Sequence, residues 1–244
     1  MLNVKARLRE AVREFWQTRD AQHLRQGAAT GRKDTGARGA VTGGKHADGF
    51  ARLAASVCSN AGLPAPQIHS VAKKSRLIPG YYRPSKEWDL VVTSGNDLVA
   101  VVEVKSQVGS FGNNFNNRVE EALGNATDFW AAYRKGLLAP SQRPWLGYLF
   151  MLQETEQSMR STRRVRLEHY PIDEDFQTLS YAKRYELVCL RLVREQLYDA
   201  ACFIISSAES GRKGQYLEPN AELGIERFCI SLHARAAAFA RLRK

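Results

Sequence analysis

Asp89, Glu103 and Lys105 are the residues of this chain whose types and spacing point most directly to a reaction. They sit in the run WDLVVTSGNDLVAVVEVKSQVGSFGNNFNNR, residues 88–118. Its first half is apolar and β-branched, so residues 88–93 and 98–105 read as strands, joined by the turn Ser94-Gly95-Asn96-Asp97. Alternation along a strand puts Glu103 and Lys105 on one face, with Gln107 continuing it, and Val102 and Val104 on the other. The hairpin carries Asp89 to the side of Glu103. Two neighbouring carboxylates repel unless a proton or a cation joins them. Hard oxygen ligands suit Mg²⁺, held by one or two carboxylates together with waters and phosphate oxygens. A lysine beside such a pair can stabilise the charge that develops when a phosphodiester is attacked. The chemistry expected is metal-assisted phosphodiester hydrolysis. A solvent-facing Glu103–Lys105 ion pair at a strand end is the bland alternative. The apolar context favours the site, because core strands avoid charge unless it is paired or bound.

The residues that follow add a means of reading DNA. Asn113, Asn114, Asn116, Asn117 and Arg118 would open a long helix. Asparagine pairs well with adenine and arginine with guanine in the major groove. The competing role for Asn113 or Asn114 is to cap the helix. Arg83 and Lys86, just before Asp89, are candidates for the DNA backbone, or else solvated loop charges. The cluster Arg160, Arg163, Arg164 and Arg166 carries the same two readings. Lys45 ends Gly39-Ala-Val-Thr-Gly-Gly-Lys45, which matches the opening of a phosphate-binding P-loop. His46 follows where Ser or Thr should hold Mg²⁺, and no apolar strand precedes it, so no nucleotide cofactor is expected. Lys45 and the neighbouring amides remain candidates for DNA phosphates.

The rest of the chain must position these groups. At 44% hydrophobic and 25% charged it has the composition of a globular protein, with a net charge of +11 that suggests a polyanionic partner, a nucleic acid first, or else a merely basic surface. Cys58, Cys189, Cys202 and Cys229 form no CxxC, and the five histidines show no ligand spacing, so buried thiols in a reducing cytoplasm are expected rather than disulfides or zinc. The amphipathic N-terminus lacks the apolar core of a signal peptide, and no stretch is apolar enough to span a membrane. Helical periodicity predicts helices over 4–18, from Asp48 as N-cap, over 115–134, around 187–197 and over 221–242. A first strand is expected at 77–82, and buried strands at 145–152 and 201–206. Residues 26–46, rich in glycine and basic residues, read as a mobile loop. Asn125-Ala-Thr127 matches a glycosylation sequon but falls in a predicted helix and is discounted. The expected architecture is α/β, with a mixed central sheet flanked by helices, in one domain over 1–244. That domain would have a helical N-terminal part (1–66), a catalytic core (about 76–206) and a C-terminal helix (about 221–242).

The arrangement Asp89…Glu103-Val-Lys105 resembles the PD-(D/E)XK nuclease superfamily, with Trp88 in place of the pattern's proline. The longer stretches PGYYRPSKEWDLVV and VVEVKSQVGSFGNNFNNRVEEALGNATDFWAAYR, with GAVTGGKHADGF nearer the N-terminus, resemble the XhoI-type type II restriction endonucleases. The resemblance implies a bacterial, cytoplasmic homodimer that reads the palindrome 5′-CTCGAG-3′. It implies Mg²⁺-dependent cutting after the first C of each strand, leaving 5′-phosphate and 3′-hydroxyl ends, and a companion methyltransferase that protects host DNA. It assigns metal binding to Asp89 and Glu103 and the catalytic lysine to Lys105. A further acidic residue from an early helix joins the metal site in some superfamily members, and Asp48 is the candidate here. Two rivals share part of this pattern. One is a repair or junction-resolving nuclease on the same fold; the other is a DNA-binding protein with a purely structural Asp-Glu-Lys cluster.

Overall fold

The long apolar runs pair into one mixed sheet in the computed structural model, which describes residues 2–30, 45–163 and 166–242. The strands are β1 (Ile68–His69), β2 (Leu77–Ile78), β3 (Lys86–Glu87), β4 (Leu90–Ser94), β5 (Asp97–Gln107), β6 (Trp145–Gln153) and β7 (Ala200–Ser206). The central sheet has five strands in the order β1-β4-β5-β6-β7. β4 and β5 form the predicted antiparallel hairpin, while β5, β6 and β7 run parallel. The α-helices are α1 (Val4–Thr30), α2 (Asp48–Asn60), α3 (Phe111–Arg134), α4 (Glu156–Met159), α5 (Tyr181–Arg194), α6 (Ala208–Gly211) and α7 (Ile225–Leu242).

Period-2 alternation divides the core. Leu90, Val92, Val102, Val104, Leu149, Met151, Cys202 and Ile204 face α1, α2 and α7. Val91, Val101, Tyr148, Phe150, Leu152, Phe203 and Ile205 face α3 and α5. β6 is buried along almost its whole length, as WLGYLFML requires of a strand covered on both faces. The fold is thus the expected α/β class, a mixed five-stranded sheet with helices on both sides.

The element boundaries shift where tertiary contacts override local pattern. α1 runs to Thr30 rather than 18, because Ala21, Gln22 and Arg25 favour helix even after the apolar stripe ends. The strand expected over 77–82 shrinks to Leu77–Ile78, paired with β3, because Pro79-Gly80 ends it. α3 starts at Phe111, since Phe111 is buried and anchors the first turn. Its buried face includes Phe111, Ala122, Ala126 and Phe129, while Leu123 is 41% exposed. In α5 the core face is likewise Ala182, Tyr185, Cys189 and Leu192, offset from the expected Leu187–Leu197 stripe. α7 begins at Ile225, after a 3₁₀ turn at Ala221–Leu223 and the extended Gly224. Asp48 is the first residue of α2, the N-cap position falls to Ala47, and no side chain caps that helix. Residues 31–44, which hold most of the basic loop and the P-loop-like run, lie outside the described residues, as do Arg164, Arg243 and Lys244. All four cysteines are buried free thiols. Among the described residues no helix is long and apolar enough to cross a membrane.

Candidate active site

The site lies where β4 begins and the C-terminal half of β5 leaves the sheet. Leu90 pairs with Val102, and the Asp89 backbone N–H extends the ladder by donating to the Val102 carbonyl. Asp89 therefore stands beside Glu103 on the face covered by α3. The Val104 N–H donates to Asp89 Oδ2 at 2.7 Å, which fixes the carboxylate. Parallel β5 and β6 place this edge at their C-terminal ends, the usual position for ligands in α/β sheets.

Glu103 is 1% exposed and clamped by cations. Lys86 Nζ reaches its Oε2 and Lys105 Nζ its Oε1, each at 2.8 Å, and Asn125 Nδ2 also donates to Oε1 at 3.3 Å. Burial alone would raise the pKa of Glu103, but the Lys105 and Lys86 ammoniums outweigh it and hold the carboxyl below its usual range. Burial works against the charge on Lys105 too, and Glu103, Glu121 and Asp89 together raise its pKa instead. Lys86 Nζ lies 4.3 Å from the centre of the Trp88 ring, so Trp88, in the proline position, helps hold that ammonium against Glu103.

Asp89 is the strained member. Burial first, and repulsion from Glu103 second, push its pKa from 3.8 to about 6, against the Val104 N–H and the two lysines. Its folded pKa is above the unfolded one, so the folded state binds more protons between them and stability falls as pH rises from about 4 to about 6. Asp89→Asn removes that dependence. In metal-free buffer above pH 7 the variant should be more stable than wild type, on the order of 2 kcal/mol by denaturant unfolding. Equal midpoints for the two proteins would show that Asp89 carries no such burden.

A chain of polar contacts supports the clamp. Asn125 Oδ1 accepts from Arg83 Nη2 at 2.9 Å, and Arg83 Nε donates to Asp128 Oδ2 at 2.7 Å. Asp128 Oδ1 accepts the backbone N–H groups of Tyr81 and Tyr82, each at 2.8 Å. A Cβ at Gly80 would stand 2.5 Å from Asp128 Oδ2, so this close approach of loop to helix requires glycine. Asn125 and Asp128 were not among the residues that sequence reasoning selected. Their signal was present: polar residues three apart on the otherwise apolar Ala122–Ala126–Phe129 face of α3.

A cleft of about 860 Å³ opens over these groups. Asp89, Glu103, Lys105, Lys86, Gln107, Asn113, Asn114, Asn117 and Arg118 all line it. Asn116 and Arg83 do not, since Asn116 turns to the exposed side of α3 and Arg83 is bound to Asp128 and Asn125. Asp48 is exposed and also absent from the lining. The side chain of Lys45 lies outside the described residues. Arg19, His46 and Arg76 line the cleft without having been singled out. The turn from β5 to α3 passes through two left-handed residues, Gly109 (φ +65°) and Ser110 (φ +47°). This sharp reversal sets the first turn of α3 on the cleft. Ser110 is the N-cap and makes no side-chain capping bond, and neither Asn113 nor Asn114 serves as the cap. Ser110, Asn113 and Asn114 line the cleft, at the positive end of the helix dipole. Gln107 is 3% exposed, and its Oε1 has no hydrogen-bond partner among the described residues.

Among the described residues no group of three or more His, Cys, Asp or Glu could hold a metal ion. The site offers two carboxylates, Asp89 and Glu103, one of them destabilised by the other. That donor set fits Mg²⁺, which keeps several waters and takes phosphate oxygens from its substrate, better than it fits a metal needing an all-protein cage.

Comparison with known proteins agrees with this geometry. The profile of the family described as restriction endonuclease XhoI matches residues 26–218. The type II restriction enzyme BstVI of Geobacillus stearothermophilus is 44% identical over 86% of this chain and 95% of its own length. The type II restriction enzyme XhoI of Xanthomonas vasicola is 40% identical over 76% of this chain and 73% of its own. AbrI of Azospirillum brasilense, also a type II restriction enzyme, is 42% identical over 65% of this chain and 70% of its own. No solved structure matches the chain significantly. The matched span contains the β4–β5 hairpin, α3 and the whole carboxylate–lysine cluster, and the chain belongs to the XhoI restriction endonuclease family, whose members are type II site-specific deoxyribonucleases.

Proposed function

We propose that this chain cuts double-stranded DNA at the palindrome 5′-CTCGAG-3′, after the first C of each strand, with Mg²⁺ as cofactor. Asp89 and Glu103 hold the ion, Lys105 is the catalytic lysine, and the fold is of the PD-(D/E)XK type. The observation that carries this reading is the buried clamp itself. Glu103, 1% exposed, is shared by two lysines beside a carboxylate whose pKa is raised to about 6, in a cleft open to a large ligand. A purely structural ion pair has no need of the second, repelled carboxylate.

Mg²⁺ supplies Lewis-acid stabilisation of charge on the phosphate oxygens. The chain's own groups do the rest. Lys105 Nζ, held on Glu103, places an ammonium beside the phosphorus as negative charge develops in the attack of water. A P–O bond forms to the water oxygen, the P–O3′ bond breaks, and a proton passes to the leaving O3′, giving 5′-phosphate and 3′-hydroxyl ends. Lys86 neutralises the second Glu103 oxygen and keeps the buried carboxylate in place. The N-terminal turns of α3 carry the reading residues. Asn113, Asn114, Asn117 and Arg118 line the cleft, and the unpartnered Gln107 Oε1 accepts from a base edge such as the adenine amino group. A palindrome calls for two-fold symmetry, hence a homodimer, and membership of a restriction endonuclease family implies a companion methyltransferase that protects host DNA in the bacterial cytoplasm. The test is incubation with a plasmid that carries one CTCGAG, with Mg²⁺ or with EDTA, followed by sequencing across the ends. One Mg²⁺-dependent double-strand cut within that site is expected. Cuts elsewhere overturn the specificity, and the absence of cutting overturns the catalytic assignment.

A further inference from the structure

Three residues outside the Asp89–Glu103–Lys105 cluster meet in the same cleft, and two of them, Arg19 and His46, have no part in the cutting or reading described above. Arg19 comes from α1, His46 from the 3₁₀ turn before α2, and Arg118 from α3. They approach from both sides of the sheet, since α1 and α2 cover one face and α3 the other. Phe15 is their shared platform on the α1 side. Its ring meets His46 edge-on at 5.1 Å between centroids, and the Arg19 guanidinium lies 5.9 Å from its centre. Arg19 and His46 are each only 8% exposed.

The polar atoms of this cluster are unevenly satisfied. His46 Nδ1 is buried with no partner among the described residues, and so is Arg118 Nε. Arg118 Nη1 is held by Glu121 Oε2 at 2.6 Å, which fixes the guanidinium without occupying that nitrogen. The carboxylate next to Arg19, Asp20, is itself bonded to Arg212 through both oxygens. A buried imidazole between two guanidiniums is a costly arrangement for a merely structural cluster, because unmet donors and like charges both oppose folding. It becomes favourable once an oxyanion sits among the three. The start of α3, with Ser110, Asn113 and Asn114 on the same cleft and no side-chain cap, adds a positive dipole end. A neutral base edge would leave most of this positive potential unanswered, whereas a phosphate meets it.

We propose that Arg19, His46 and Arg118 form a phosphate-binding subsite of the cleft, separate in its residues from the Asp89–Glu103–Lys105 cluster. Its ligand is a phosphate oxyanion, either an internucleotide phosphodiester of bound DNA or free phosphate. The DNA form rests on the reading of the cleft as a DNA-cutting site. Neutral His46 donates from Nδ1, and the two guanidiniums supply charge. The subsite links α1 and the segment before α2 to DNA engagement, so the helical N-terminal part acts in binding and is not only a cover for the sheet.

The test is a duplex in which one phosphate at a time is replaced by an uncharged methylphosphonate, with affinity measured in EDTA so that nothing is cut. Wild-type protein should lose about tenfold at one or two positions in each half-site. In Arg19→Gln and His46→Ala that particular loss should vanish while the losses at other positions persist. A second arm needs no variant: the His46 ring ¹⁵N signals are followed as inorganic phosphate is added to wild-type protein at constant ionic strength. Shifted signals with no coupled position in the duplex assign the subsite to free phosphate. Unmoved signals together with unchanged position-by-position losses in both variants overturn the proposal. If wild-type protein binds no duplex at all, the DNA-cutting reading fails, and the phosphate titration alone decides the subsite.

Discussion

Lys105→Ala lowers the rate of strand cleavage by about 10³-fold while affinity for the uncut duplex, measured without divalent ions, stays within a few-fold of wild type. The size follows from what the ammonium does. It sits 2.8 Å from Glu103 Oε1 and is 27% exposed, so it is held in place yet open to the cleft. Charge that develops on a phosphate in a water-poor site is stabilised by a fixed cation far more than the ground state is. The affinity persists because Lys105 is one cation among several that line the cleft. The fold persists because Glu103 keeps Lys86 and Asn125 as partners. The check is single-turnover cleavage in Mg²⁺ set beside fluorescence anisotropy of the same labelled duplex in EDTA. An equal loss in both would mean that Lys105 binds DNA rather than serving the transition state.

Asp128→Ala acts on the fold, and through it on the site. Asp128 is 5% exposed and accepts three hydrogen bonds, from Tyr81 N–H, Tyr82 N–H and Arg83 Nε. Its removal leaves the Arg83 guanidinium with Asn125 alone and two backbone donors with no partner, and it unties the loop that leads to Lys86 and Asp89. Breaking a buried charged pair from one side costs about 3–5 kcal/mol, and the 38% exposure of the Arg83 side chain places this case toward the lower end of that range. Chemical denaturation should show the loss as a lower midpoint with little change in slope. The pH dependence has a definite sign. Burial opposes the shift, but the Tyr82 N–H, Arg83 and the Tyr81 N–H hold Asp128 below its ordinary 3.8. The stabilisation is therefore complete above that value and disappears as pH falls through the lower folded one. Asp128→Asn should flatten the acid limb of the stability curve. An unchanged acid limb would contradict the role given to this carboxylate.

The parts of the site that follow a short period were legible from the sequence. Alternation alone placed Glu103, Lys105 and Gln107 on one face of β5, and the hairpin turn brought Asp89 alongside. The α/β class followed from the same runs, because WLGYLFML leaves few alternatives to a strand covered on both faces. What escaped was everything set by contact between distant elements. Lys86 read as a loop charge for DNA, yet only the fold shows it clamped on Glu103 above Trp88. Arg83 read the same way and is tied to Asp128, forty-five positions along the chain. The exact face of α3 is also set by contact: Leu123 is 41% exposed, whereas small Ala122 and Ala126 are buried against the sheet. Arg19 and His46 lie in segments whose local pattern speaks only of an amphipathic helix and a loop. Their place in the cleft depends on how α1 packs against α2 and the 3₁₀ turn that carries His46, which in turn rests on β5.

The central claim is that the buried carboxylate on β5 serves the cutting of DNA rather than the fold, and Glu103→Gln tests it most directly. The variant should be compared with wild type on one duplex containing CTCGAG, for binding in EDTA and for cleavage in Mg²⁺. Bound duplex with affinity equal to or tighter than wild type, and no cleavage over many wild-type half-lives, is the predicted result. Cleavage by the variant at a rate near wild type would contradict the assignment of Asp89, Glu103 and Lys105 as the catalytic site.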